Sequence, residues 1–164
     1  TGPEARDDVH RLRALSDAIV VGAGTVRADR PSLTVRSFTP ATDDGQTPHL
    51  DPWRIVLGSL GSGATDSPFE EYTGSLEDLL DTLGSRDMLQ VLVEGGAAVA
   101  GAFHRAGLVD EYWFYIAPAL LGGDDGLAPF AGPGAPTMAE VQRGRFRSAE
   151  RLGADLRLVY EAAD

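Results

Sequence analysis

The segment Val91-Leu92-Val93-Glu94-Gly95-Gly96-Ala97-Ala98-Val99-Ala100-Gly101-Ala102-Phe103 constrains the fold more than any other part of the chain. Leu89 to Val93 is a short apolar run, as expected for a strand covered on both faces. Glu94 stands at the end of that strand. Gly95 and Gly96 allow a sharp turn and a close approach by a ligand. The helix that follows aims unpaired N–H groups at whatever lies in front of it, which suits phosphate. A plain strand–helix turn with no ligand accounts for the same residues, so the rest of the chain must separate the two.

A second turn of this kind lies near the start. Asp17 and the run Ala18-Ile19-Val20-Val21 predict a buried strand, which feeds Gly22-Ala23-Gly24-Thr25-Val26-Arg27. This is G-x-G-x-x followed by arginine, where the dinucleotide fingerprint has a third small residue. As a fingerprint it is weak. As a glycine turn at a strand's C-terminal end it is sound, and ligands bind there in open α/β sheets.

The other elements follow from periodicity and punctuation. Thr1 as cap, Pro3 and Glu4 predict a helix opening, with Ala5, Val9, Leu12 and Leu15 on its inner face. Arg13 lies near that helix's end, where the dipole favours a cation. Pro31 forbids a long helix after the second turn, and Leu33 to Arg36 predict a short extended segment. Residues 37 to 52 read as a loop. Trp53 to Leu57 predict a strand, residues 58 to 74 irregular chain, and Ser75 to Leu83 a capped helix. The Gly96 helix runs to Ala106 and stops at Gly107. Asp110 to Ala117 is aromatic and β-rich. A long loop with Asp124 and Asp125 follows, then strands Arg145 to Leu152 and Asp155 to Glu161 joined near Gly153-Ala154. Strand–helix alternation with a terminal hairpin gives a mostly parallel α/β sheet with an antiparallel edge.

Composition narrows the chemistry. The 164 residues suffice for one domain. No run approaches the roughly 18 apolar residues that span a bilayer. There is no cysteine, which removes disulfides, thiol catalysis and thiolate metal sites and fits the cytoplasm. The formal net charge of -11 opposes a nucleic acid partner. All 14 basic residues are arginine, so no lysine Schiff base or Walker lysine exists. Half of the arginines lie between Arg6 and Arg54, which points to an anionic ligand there. His10, His49 and His104 have no metal-ligand spacing, and no G-x-S-x-G elbow occurs. Asp124-Asp125 reads as a solvated loop rather than a cation site. Two glycine turns, nearby arginines and one carboxylate suit a phosphorylated substrate and a dinucleotide that carries its own redox chemistry.

The order of these motifs also resembles a known family. Asp17-Ala18-Ile19-Val20-Val21-Gly22-Ala23-Gly24-Thr25-Val26-Arg27-Ala28-Asp29 and Pro31-Ser32-Leu33-Thr34-Val35-Arg36 resemble the reductase domain of bacterial riboflavin biosynthesis. So do Val91-Leu92-Val93-Glu94-Gly95-Gly96, Gly107-Leu108-Val109-Asp110-Glu111 and Ala117-Pro118-Ala119-Leu120-Leu121-Gly122-Gly123. The motifs cover most of the chain and are specific as a set. The resemblance implies a dihydrofolate-reductase-like fold of three layers. It implies NADPH-dependent reduction of 5-amino-6-(5-phosphoribosylamino)uracil at the sugar C1′ carbon. By motif position, Thr25, Asp29, Ser59, Gly95, Gly96, Ala97, Ala98, Val99, Ala100, Gly101 and Ala102 are expected to contact NADPH. Arg13, Leu33, Arg36 and Glu94 are expected to contact substrate, with Glu94 also the catalytic candidate. No metal is implied. A homodimer is expected, with the aromatic strand Tyr112 to Tyr115 and the terminal hairpin as the pairing elements.

Three departures from the family pattern stand out. The family's strand before Thr1 is absent, so residues 1 to 164 are expected to be a reductase domain lacking its N-terminal strand. Between Ser59 and Ser75 the family has a further strand and helix, where this chain predicts only a short irregular link. Arg30 replaces an acidic residue. The family reductase is often fused to a zinc deaminase, but His-x-Glu and Cys-x-x-Cys are missing from this sequence. Two other readings remain open: a paralogous NADPH-dependent reductase of another pyrimidine, pterin or related small molecule, and a non-catalytic nucleotide-binding domain.

Overall fold

The computed structural model describes residues 1–36, 51–61, 68–123, 125–126 and 128–163. Most of the expected loop over 37 to 52, and Asp124, lie outside these residues.

The chain alternates helix and strand through its first two thirds. Its elements are α1 (Pro3–Ala14), β1 (Ala18–Gly22), α2 (Ala23–Asp29), β2 (Trp53–Leu57), β3 (Glu70–Tyr72), α3 (Leu76–Gly84), β4 (Val91–Val93), α4 (Ala97–Ala106), β5 (Glu111–Ile116), β6 (Gly144–Leu152) and β7 (Asp155–Ala162). Strands β3-β2-β1-β4 form a parallel sheet in that order. β1 is buried along its whole length and serves both faces. Ala18 and Val20 join Ile55, Leu79, Leu83 and Phe103 in a core beneath α3 and α4. Ile19 and Val21 join Ala23, Val26, Leu33 and Val56 on the other face, beneath α2. The alternation follows from the two-residue period of a strand and produces the three layers.

The antiparallel part is a sheet of its own, β5-β7-β6, rather than an edge of the parallel one. Its β6–β7 hairpin turns at Gly153-Ala154, with Leu152 opposite Asp155 and Gly153 at φ +60°. Helix α1 ties the two sheets together. Its Arg13 reaches Glu94 beyond β4. Its Asp8 accepts from Tyr115 Oη at 2.7 Å and from Arg157 Nη1 at 2.8 Å on the antiparallel sheet. Arg11 also donates to Asp8 at 2.8 Å, and the Arg11 and Arg157 guanidiniums both lie over Trp113.

Several local expectations are corrected. Gly2, not Thr1, is the N-cap of α1, and no side chain caps it. The Gly2 N–H instead donates to Asp155 Oδ2 at 2.6 Å, so a buried carboxylate from β7 holds the helix start. Leu15 lies just past the helix and is half exposed. The turn after β1 is a short helix, α2, ended by Arg30 in the left-handed region at φ 44°. Leu33 to Arg36 is not a strand, because Leu33 turns the chain at φ 50° while burying its side chain. Residues 70 to 72 form β3, an edge strand too short and too charged to show a period. β4 begins at Val91, and Leu89 before it is 79% exposed. β4 is only partly covered because it closes the parallel sheet. Asp17 Oδ2 fixes its start by accepting from the N–H groups of Leu89 (2.8 Å) and Gln90 (2.9 Å).

Candidate functional site

The order of the parallel strands places the site. From β1 the chain passes through α2 to β2 on one side, and it returns through α3 to β4 on the other. The connections therefore diverge between β1 and β4, and it is outside the C-terminal ends of the strands at such a point that open α/β sheets form their ligand crevice. The two glycine turns of the sequence are the residues at those ends.

Gly22 and Gly96 let the walls of the crevice come together. A Cβ on Gly22 would lie 2.9 Å from Val99 Cγ2, so α4 packs closely on the end of β1. Gly95 and Gly96 adopt φ +90° and +78°, conformations that L side chains rarely take. A Cβ on Gly96 would lie 2.8 Å from Thr25 Oγ1, and one on Gly95 3.5 Å from Thr25 Cγ2. Thr25 thus stands directly against the Gly95-Gly96 turn. Gly96 caps α4, and no side chain occupies the cap. The first N–H groups of this ten-residue helix, the Thr25 hydroxyl and a turn free of side chains form a donor set for an anionic group. Nothing lies within 4 Å of a Cβ placed on Gly24, so the space beside that residue is open.

The second half of the site is charged. Glu94 follows β4, and its N–H donates to the Val20 carbonyl at 2.9 Å. Its carboxylate receives both arms of Arg13: Nε donates to Oε2 at 2.7 Å and Nη2 to Oε1. This bidentate pair is about three quarters or more buried at both side chains. Bidentate geometry fixes the plane of the carboxylate as well as its place. Arg13 Nη1 lies 3.4 Å from the Thr34 carbonyl oxygen, which links the pair to the segment after α2. On that segment the exposed Arg36 guanidinium donates to Thr34 Oγ1 at 3.1 Å and to Ser32 Oγ. Its partners there are neutral hydroxyls.

The residues expected from the sequence fall into groups. Thr25, Gly95, Gly96 and the first turn of α4, with Ala97, Ala98, Val99 and Ala100, meet at the crevice. Arg13 and Glu94 are joined directly, and Arg36 is connected through Thr34. Ser59 lies beyond the end of β2, exposed, with its carbonyl accepting from Arg27 Nη1 at 2.8 Å. Asp29 is exposed at the end of α2. Leu33 is 3% exposed and packs in the core under α2. Gly101 is buried against the Ala131 segment, whose carbonyl oxygen a Cβ would overlap, and Ala102 follows it in the same turn. Sequence reasoning passed over Ser32, Thr34 and Arg27. Arg27 carried a signal, since it fills the place of the fingerprint's third small residue.

Glycine turns at the switch point of an open parallel sheet, with a carboxylate and arginines at one end, define an α/β domain of the open-sheet class. The model of one family, the RibD C-terminal domain, matches residues 1–158, and the chain belongs to that family. The riboflavin biosynthesis protein RibD of Mycobacterium tuberculosis is 38% identical over 170 residues, which cover 96% of this chain and 46% of the relative. The chain spans about half the length of the RibD relatives it matches. The 2,5-diamino-6-ribosylamino-4(3H)-pyrimidinone 5′-phosphate reductase of Methanothermobacter thermautotrophicus is 29% identical, with 98% of this chain and 86% of that protein covered. Among solved structures, RibD of Acinetobacter baumannii superposes with a TM-score of 0.81 at 29% identity, over 99% of this chain and 51% of that one.

Proposed function

We propose that the domain reduces 5-amino-6-(5-phosphoribosylamino)uracil to its ribitylamino counterpart with NADPH, in the cytoplasm, as a step of riboflavin biosynthesis. The observation that carries this reading is the joining of two unlike surfaces in one crevice. The Thr25–Gly95–Gly96 turn suits a dinucleotide pyrophosphate, and the Arg13–Glu94 pair stands immediately beside it. Family membership and the name of the archaeal relative support the same chemistry.

Bound NADPH supplies the hydride that, with a proton, reduces the open-chain imine at C1′ to the amine. The residues of this chain bind and orient. The start of α4 and the Thr25 hydroxyl hold the pyrophosphate. Glu94, fixed by Arg13, presents carboxylate oxygen to the N–H and O–H groups of the pyrimidine or the sugar. Arg13 in turn keeps that acceptor in one plane. Arg36, Ser32 and Thr34 receive the 5′-phosphate, where a permanently charged planar donor is the suitable group. Asp29 and Ser59 flank the cofactor farther out along the sheet edge.

The test is in two stages. NADPH titration of the full-length protein, followed by fluorescence, should saturate; no binding would refute every enzymatic reading. Turnover is then compared between the phosphoribosylaminouracil and the diamino pyrimidinone phosphate named for the archaeal relative. Oxidation of NADPH by neither would refute the reaction while leaving the nucleotide site standing.

The domain is also proposed to form a homodimer through its antiparallel sheet. Phe146 on β6 is 67% exposed at the rim of an aromatic pocket of about 300 Å³, lined by His104, Tyr112, Phe130 and Tyr160 among others. An exposed aromatic beside such a pocket suits a partner surface.

A further inference from the structure

We infer that Arg27 is the residue that selects NADPH over NADH, by pairing with the 2′-phosphate of the adenosine ribose. The inference rests on the NADPH reading above and names the determinant within it.

The argument starts from direction. The polar groups suited to substrate lie at the Arg13–Glu94 end, outside β4. The pyrophosphate donors lie between β4 and β1, at Thr25 and Gly96. An extended dinucleotide with its nicotinamide toward Glu94 therefore continues away from β4, across β1, to the end of β2. Adjacent strands are about 4.8 Å apart, so this is within the reach of one ribose beyond the pyrophosphate.

The end of β2 is where α/β dinucleotide sites read the ribose. A carboxylate there accepts from the 2′-hydroxyl of NADH, and an arginine accommodates the 2′-phosphate of NADPH. In this chain the end of β2 itself, Leu57-Gly58-Ser59-Leu60, carries no carboxylate, and the Asp29 carboxylate proposed to lie nearby comes from the end of α2. A guanidinium is supplied there by α2: Arg27 Nη1 donates to the Ser59 carbonyl at 2.8 Å. That carbonyl is neutral, and Arg27 makes no ion pair among the described residues, unlike Arg13, Arg11 or Arg157. Both Arg27 and Ser59 are exposed. A fixed positive charge beside an exposed serine hydroxyl is a complement to a phosphate dianion. The same constraint explains an arginine in place of the fingerprint's small residue.

The experiment measures binding rather than turnover. Dissociation constants for NADPH and NADH are determined by fluorescence titration for the unaltered protein, Arg27→Leu and Arg30→Gln. Arg30 is an exposed arginine three residues away and controls for net charge. Arg27→Leu should weaken NADPH roughly tenfold to a hundredfold while NADH stays within about twofold. Arg27→Lys should recover part of the loss, and Arg30→Gln should leave the preference unchanged. Equal weakening of both nucleotides by Arg27→Leu, no weakening of either, or an equal effect of Arg30→Gln would overturn the assignment. The NADPH reading itself fails if the unaltered protein does not bind NADPH, whatever the effect of the replacements.

Discussion

Thr25 and Gly96, far apart in sequence, stand so close that a Cβ on Gly96 would lie 2.8 Å from Thr25 Oγ1. The glycine is needed twice, for that approach and for its φ of +78°. Gly96→Ala should therefore cost about 1–3 kcal/mol of stability and weaken NADPH binding. Gly24 provides the contrast. It lies in α2 with open space around it, so Gly24→Ala should gain about 0.5–1 kcal/mol. Thermal melts with and without NADPH check both. A stabilised Gly24→Ala protein that binds NADPH more weakly would show that the nucleotide fills that space.

The Arg13–Glu94 pair should resist conservative replacement. Lysine cannot reproduce two parallel donors to one carboxylate. Arg13→Lys and Glu94→Gln should each cost about 1–3 kcal/mol in stability, because the remaining partner is mostly buried. Both should lower kcat more than they raise the KM for NADPH. Steady-state kinetics decide it: unchanged kcat in Glu94→Gln would remove Glu94 from the reaction.

Arg36 should act on substrate alone. Its guanidinium is held by the hydroxyls of Ser32 and Thr34 and supports no core packing. Arg36→Ala should raise the KM for a phosphorylated pyrimidine about tenfold, with the melting temperature unchanged. The dephosphorylated substrate should be indifferent to the replacement, and an equal effect on it would assign Arg36 elsewhere.

Asp8 sets the acid limit of stability. Burial pushes its carboxyl up, but hydrogen bonds from Arg157, Arg11 and Tyr115 outweigh burial and hold it below the ordinary 3.8. The folded state thus binds this proton more weakly than the unfolded state. The resulting stability is present above about pH 4 and is lost as pH falls through the lowered value. Asp8→Asn should cost about 2–4 kcal/mol at neutral pH and flatten the acid limb of a denaturation profile. Tyr115 behaves oppositely. Burial, then its bond to Asp8, raises its phenol above the ordinary 10.0, so its contribution is present below about pH 10 and fades above it. Tyr115→Phe should remove that alkaline dependence.

Phe146 should carry the association of two copies. Phe146→Glu places a charge on an exposed strand and leaves both core clusters intact. Sedimentation should then show monomer where the unaltered protein is dimeric, with circular dichroism unchanged. A monomeric unaltered protein would refute the dimer.

What the sequence determined by itself was local. Continuous apolar runs identified β1 and β2, Ser75 and Gly107 bounded α3 and α4, and Gly153 marked the hairpin. The Gly95-Gly96 turn was legible because a residue at positive φ beside a strand end leaves few choices other than glycine, whereas Gly22 is at φ -86° and is required by the close approach of Val99. The motif order is that of the RibD C-terminal domain family, whose model matches residues 1–158. Tertiary structure decided what depends on partners distant in the chain. β3 exists because β2 offers it a ladder, not because Glu70-Glu71-Tyr72 favours a strand. The start of α1 is held by Asp155, which no capping pattern near Thr1 announces. Leu33 takes φ 50° because burial of its side chain offsets a local conformation that sequence disfavours. The antiparallel strands form a sheet of their own, because periodicity fixes which face a strand buries but not which strand lies beside it. Arg13 read as a helix-end cation and, by resemblance, as a substrate contact, and its clamp on Glu94 formed only when α1 was laid across the end of β4. Short-range steric preference is written in neighbouring residues, whereas the pairing of charges and strand edges is set by the packed chain.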